Sequence, residues 1–298
     1  MGRKRRGLPL NGWLIIDKDS GLTSANVVAR VRHLTGAAKA GHAGTLDPLA
    51  TGILPVALGE ATKTVAYVQD GAKTYRFTVR WGEERATDDT EGEVTKTSSN
   101  RPAEADILAA LPAFTGVIQQ VPPAYSAIKL DGERAYDLAR AGEVVEIASR
   151  PIRIDRFDLV RVIDRDSAEF EVDCGKGAYV RALARDLGRR LDCLGHISVL
   201  RRTRVGPYRE AGAFSLAKLA ELCQNPAPVE YLLPVETALD DIPALAVTGP
   251  QAERLHNGQS IMVLDATDGP AFVKNAGRPV ALAEVAGGEV RPVRVFNL

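Results

Sequence analysis

Residues 73–81 alternate without a break: Tyr75, Phe77, Val79 and Trp81 fall on one side, Thr74, Arg76, Thr78 and Arg80 on the other. A period of two belongs to a strand with one face on a core and the other in water. Such a strand requires a sheet with an apolar layer against it. Strand patterns recur at 12–17, 152–163 and 168–174, with helical patterns at 103–111, 133–141, 178–191 and 216–223. Ser24 is expected to cap a helix on which Val27, Val28, Val31 and Leu34 share a face, with Gly36 as its stop; Ser215 is expected to cap the helix from 216. Residues 36–52 carry no period and read as a loop, and the acidic stretch 82–101 reads as a connection.

Prolines at 226, 228, 234 and 243 mark a linker-like zone. Beyond it the character changes to short β-prone runs (261–264, 271–274, 279–285, 290–296) between Gly and Asp turns. The predicted fold class is therefore α+β: a mixed, largely antiparallel sheet with flanking helices, followed by a small β-rich domain. The expected boundaries are a basic flexible tail at 1–10, a main domain at 11–243 and a C-terminal domain at 244–298. Residues 119–150 hold little apolar content for their length and read as an excursion from the core.

The chain has 298 residues, with 38 basic and 38 acidic side chains, so its net charge is zero, but the charge is segregated. Residues 1–40 carry eight basic groups against two acidic, 176–209 nine against two, and 210–298 six against eleven. Concentrated basic stretches present a positive face to a polyanion even on a neutral protein. No apolar run approaches the roughly 18–20 residues that cross a bilayer, and the basic N-terminus lacks a signal peptide's apolar stretch. Cys174, Cys193 and Cys223 are odd in number without a CxxC pair, and the four His residues show no ligand spacing. A cytoplasmic, monomeric protein without a structural metal is expected.

Two segments carry chemical interest. The stretch Gly41-His42-Ala43-Gly44-Thr45-Leu46-Asp47-Pro48-Leu49-Ala50-Thr51-Gly52 offers close backbone approach at its glycines, and Pro48 denies Asp47 a helical conformation. On loop chemistry alone, Asp47 reads as a turn former before proline rather than as a reactive carboxylate. The stretch Cys174–Arg181 lies at a strand-to-helix junction without a Walker or GxGxxG pattern, which leaves nucleotide binding poorly supported. Taken singly, Arg181 reads as a snorkelling helix residue, and Tyr75 and Tyr179 as core aromatics; a base-stacking role for Tyr75 is the alternative.

Together these segments resemble the TruB-type tRNA pseudouridine synthase family. The resemblance runs from Gly12 to Leu298. Its pieces are Gly12–Lys18 with Gly21–Ser24, Gly41–Gly52, Leu58–Lys63, Lys73–Tyr75, Pro123–Lys129, Lys176–Arg181 and Leu200–Thr203. It implies an isomerase that turns uridine into pseudouridine at position 55 in the T loop of tRNA, without a cofactor or an obligate protein partner. Asp47 would be the catalytic carboxylate, Arg181 its partner, and Tyr75 the platform for the target uracil. Tyr179 and Leu200 would line the pocket, His42 would fill the gap left by the everted base, and Lys18 and Lys129 would lie near the RNA or the site. The 119–150 excursion would close on the stem-loop, and the C-terminal domain would be a PUA-like RNA-binding module. The chain departs from the family at Ala178 and Ala182, where threonines are usual. The alternative reading is a tRNA-binding or tRNA-folding protein whose modification activity is secondary.

Overall fold

The computed structural model describes residues 7–126, 128–130, 133–141, 146–224 and 231–298. In chain order these form β1 (Gly12–Lys18), α1 (Ser24–Thr35), β2 (Ala40–His42), β3 (Thr51–Leu58), α2 (Val65–Asp70), β4 (Lys73–Trp81), β5 (Glu83–Arg85), β6 (Val94–Thr97) and α3 (Glu104–Ala110). Next come β7 (Gly116–Gln120), β8 (Lys129–Leu130), β9 (Glu133–Arg134), α4 (Ala135–Arg140), β10 (Arg150–Asp164), β11 (Ser167–Cys174), α5 (Val180–Arg190), β12 (Gly195–Val205), β13 (Tyr208–Arg209) and α6 (Leu216–Leu222). The chain then runs through β14 (Ala244–Ala246), α7 (Gly249–His256), β15 (Ile261–Met262), β16 (Gly269–Asn275), β17 (Arg278–Ala286) and β18 (Glu289–Val295).

The main sheet has the order β1-β3-β12-β4-β11-β10-β7, with β2 added on β3 and β13 on β12. Its pairs are antiparallel except β12 with β3, which meet in parallel at Arg201↔Thr51 and Arg202↔Gly52. The alternation in β4 sets its face: Tyr75, Phe77, Val79 and Trp81 are buried. The neighbouring β11 alternates in phase, with Ala168, Phe170, Val172 and Cys174 buried. Phe77 and Phe170 face each other in register with ring centroids 5.6 Å apart. Helix α5 covers this face with Val180, Leu183 and Leu187.

Strands β1 and β3 are buried on both faces, which explains why Trp13–Ile16 is continuously apolar rather than alternating. Leu14 and Ile16 join the main core, while Trp13, Ile15 and Ile53 pack with Tyr208, Phe272, Leu282 and Phe296. The last three lie in and just after the second sheet, β14-β16-β17-β18-β15. Glu60 and Lys63 latch its last strand to the main domain: Lys63 Nζ donates to the Val295 carbonyl (2.6 Å) and the Asn297 amide donates to Glu60 (2.8 Å).

Some local expectations shift. Thr23, not Ser24, caps α1, in a reciprocal box with Asn26; Ser215 caps α6, accepting from the Lys218 amide (3.1 Å). The loop expected at 36–52 contains β2 and the first two residues of β3, and the connection at 82–101 contains the hairpin β5–β6. The tail expected at 1–10 ends earlier, because Leu8 already pairs with Ala37; residues 1–6 lie outside the described residues. In the excursion, β7 belongs to the main sheet and β8, β9 and α4 follow, while 127, 131–132 and 142–145 lie outside the described residues.

Candidate active site

Asp47 sits in the segment between β2 and β3, and the backbone on both sides of it is pinned. The Ser24 hydroxyl donates to the Leu46 carbonyl (3.1 Å) and accepts from the Leu46 amide (2.8 Å). The Lys18 ammonium donates to the carbonyls of Pro48 (3.1 Å), Leu22 (2.8 Å) and Asp19 (3.0 Å). Arg202, 1% exposed, donates to the carbonyls of Gly44 (3.0 Å), Thr45 (3.4 Å) and Ile53 (3.0 Å). The turn closes with the Ala50 amide on the Asp47 carbonyl (3.1 Å). Gly52 has φ +97°, and a Cβ there would lie 2.2 Å from the Arg202 carbonyl oxygen, so the crossing of β3 and β12 requires glycine.

The expected turn-former role of Asp47 is thus real for its backbone, but its side chain does something else. Arg181, in the first turn of α5 and 134 residues away, grips the carboxylate by two edges: Nε to Oδ2 at 2.9 Å and Nη2 to Oδ1 at 3.3 Å. The same guanidinium donates to the carbonyls of Thr87 (2.7 Å) and Tyr125 (3.0 Å) and lies 3.6 Å from Asp89. The Arg181 side chain is 6% exposed and that of Asp47 34%. A buried, fully engaged cation therefore holds an accessible carboxylate. Arg181 is not a snorkelling residue.

The carboxylate opens on a cavity of about 420 Å³, also lined by Tyr75, Tyr179, Leu200, Arg202 and Lys73. Tyr75 reaches it from β4. Burial pushes its phenol above the ordinary value, with the Arg202 guanidinium pulling the other way. Tyr179 precedes α5; its backbone is clamped by Gln120, whose Oε1 accepts from the Tyr179 amide (2.8 Å) and whose Nε2 donates to its carbonyl (3.1 Å). The Arg150 guanidinium lies over the Tyr179 ring, 5.2 Å from its centroid. Leu200, buried on β12, also lines the cavity. Among the described residues no group of three or more His, Cys, Asp or Glu side chains converges as metal ligands do.

The structure thus brings Asp47, Tyr75, Arg181, Tyr179 and Leu200 together. Lys18 stands behind the loop rather than in the cavity lining; burial lowers its pKa, and Asp47 is the leading opposing influence. His42, on β2 opposite Val56, is also outside the lining. Burial lowers its pKa, disfavouring the charged ring, and Nδ1 is buried with no hydrogen-bond partner among the described residues. Lys129 begins β8, and its side chain is outside the described residues. Three contributors carry no expected site role from the sequence. Arg202 stands two residues beyond Leu200, the spacing that places strand residues on one face. Lys73 stands two before Tyr75 by the same rule; burial lowers its ammonium to about 8. Ser24 was visible only as a cap.

Residues 32–180 match the N-terminal domain of the TruB family pseudouridylate synthases, and 181–240 the tRNA pseudouridylate synthase B C-terminal domain. The tRNA pseudouridine synthase B of Bradyrhizobium diazoefficiens is 58% identical, over 99% of this chain and 88% of its own length. The chain belongs to the TruB family. Its counterpart in Gluconacetobacter diazotrophicus is 52% identical over 99% of this chain and all of that one. Among solved structures, a chain of a Cbf5-Nop10-Gar1 complex superposes with a TM-score of 0.75 at 25% identity, covering 96% of this chain and 84% of that one. A chain of an H/ACA RNP bound to a substrate RNA containing 2′-deoxyuridine shares the fold, with a TM-score of 0.75 at 22% identity, covering 100% and 92%. At the two positions where the resemblance implies threonine, Ala178 lines the cavity and Ala182 is fully buried in α5. Neither can supply a hydroxyl to Tyr179, whose position depends instead on the Gln120 clamp.

Proposed function

We propose that this TruB-family chain converts uridine to pseudouridine at position 55 in the T loop of tRNA, with Asp47 as the reacting carboxylate. The observation that carries the proposal is the two-edged grip of Arg181 on a carboxylate that opens into the cavity walled by Tyr75 and Leu200. The reaction breaks the C1′–N1 bond, turns the uracil and joins C5 to C1′. No group is gained and no redox change occurs. An ionised carboxylate is needed at the ribose, as a nucleophile at C1′ or as a base at C2′, and an adjacent guanidinium favours that form.

The target base is stacked in the RNA and must be everted at a cost of roughly a few kcal/mol. Stacking on Tyr75 offsets about 1–3 kcal/mol of this. The Tyr75 hydroxyl relays the C5 proton, a reading supported by the pull of the Arg202 guanidinium on that phenol. His42 fills the gap left in the loop, Tyr179 and Leu200 wall the base, and Lys18 holds the Asp47 loop. Lys129 and the 119–150 excursion close on the stem-loop. The sheet formed by 244–295 acts as a PUA-like RNA-binding module. The basic stretches supply phosphate attraction, and the protein works as a cytoplasmic monomer on naked tRNA. Incubating purified protein with an unmodified tRNA transcript and mapping pseudouridine tests this. One modified site in the T loop is expected; no product, or product only elsewhere, contradicts it.

A further inference from the structure

Helix α5 carries a second arginine one turn beyond Arg181, and the reaction outlined above does not use it. Arg185 and its partner Asp88 are both buried. Arg185 Nη1 donates to Asp88 Oδ2 (2.9 Å), Nη2 to the Val121 carbonyl (2.8 Å) and Nε to Asp186 (2.8 Å). Residues four apart share a helix face, and the two arginines make parallel sets of contacts. Each reaches the 87–89 segment with one part of its guanidinium and a carbonyl of 121–125 with another: Arg181 takes Thr87, Asp89 and Tyr125, and Arg185 takes Asp88 and Val121. Just beyond β7, the chain is thus held to α5 at both ends of the five-residue stretch 121–125, one end by the cation that holds Asp47.

The Asp88–Arg185 pair is hard to explain as a source of stability. Asp88 adopts φ +60°, uncommon outside glycine. Burial raises its carboxyl to about 6 despite the facing Arg185. A buried ion pair repays its desolvation only in part, and its best-supported use is to specify an arrangement.

We infer that Arg185, anchored by Asp88, is a positioning residue that docks the 121–125 stretch on α5, and so sets the position of that stretch relative to Asp47 and Arg181. The inference rests on the proposed role of Asp47. Arg189 provides an internal control. It lies on the same face and grips Glu84 (2.9 and 2.5 Å) in the same acidic connection, but has no hydrogen bond to 120–126.

The test combines single-turnover rates on a T-arm stem-loop, equilibrium affinity for that stem-loop, and amide hydrogen exchange in the free protein. Arg185→Lys keeps the charge but loses the fork that bridges Asp88 and Val121. Turnover is expected to fall about tenfold, on the scale of a sub-ångström misplacement. Exchange at the Ser126 and Tyr136 amides, which bond to Ala124 and Ser126 carbonyls, should rise about tenfold, with affinity within about twofold and melting temperature kept. Arg189→Lys, which keeps the charge of the basic stretch and likewise loses the fork, should leave both turnover and exchange unchanged. Wild-type turnover and exchange in Arg185→Lys, or the same defect in Arg189→Lys, overturns the inference. If Arg185→Lys does not fold, Asp88→Asn tests the same anchor, because asparagine tolerates positive φ; faster exchange at those amides supports the inference and unchanged exchange refutes it. Activity retained in Asp47→Asn would count against the role of Asp47, whereas the exchange measurement needs no substrate and still decides that of Arg185.

Discussion

A carboxylate alone on a loop has no fixed direction, and Asp47 acquires one from three sources: the Ser24 latch on Leu46, the Lys18 ammonium on Pro48, and the two-edged contact with Arg181. Lysine at 181 could not reproduce that fork. In the proposed reaction Tyr75 is both platform and proton relay, and Tyr75→Phe separates the two. Its ring is kept, so RNA affinity should stay within about threefold, while turnover should fall by about 10²–10⁴, the range for a lost acid–base group. Single-turnover kinetics with tritium release from C5 measures this; full activity would reduce Tyr75 to a platform.

At the scale of elements, the site depends on the parallel crossing of β3 and β12, where Gly52 meets Arg202. Gly52→Ala combines a forbidden contact with an L residue at φ +97°. It should cost about 2–4 kcal/mol in urea unfolding, with activity lost through the displaced Arg202. The connection at 82–101 gives a pH signature. The folded state holds the Asp88 proton more tightly than the unfolded state, so this contribution is present below about 3.8 and is lost as pH rises through about 6. Wild type minus Asp88→Asn stability should therefore decline between pH 4.5 and 7.5, by at most roughly 3 kcal/mol, and urea midpoints at the two pH values check it. The elements themselves were legible where a period ran long enough: β4, β10, β11 and α5 fall within two residues of their sequence patterns. Strand β2 was not, because three half-buried residues in a glycine-rich stretch carry no period. Ser24 was misassigned because Thr23 and Ser24 are equally good caps by composition, and only the fold shows which hydroxyl is free to hold Leu46.

Over the whole molecule, the two sheets share an apolar layer. Phe272, Leu282 and Phe296 pack with Trp13, Ile15 and Ile53, so the second sheet is fixed to the main domain. Phe296→Ala should destabilise by about 3–5 kcal/mol, as for a large aromatic removed from a core; thermal unfolding followed by near-UV circular dichroism reads the loss. Arg181 was legible as a helix residue, but its partner was not, since no local pattern links positions 134 residues apart. The resemblance to a known family supplied that pairing. Arg185 and Asp88 belong to no quoted motif, and only the folded chain brings them together. In the proposed reaction Asp47 performs the chemistry while the surrounding frame binds the RNA. Asp47→Asn keeps the shape and removes the charge. Pseudouridine in a T-arm stem-loop, quantified by mass spectrometry alongside stem-loop affinity, should fall by more than about 10³-fold with affinity unchanged; turnover near the wild-type rate would contradict the account.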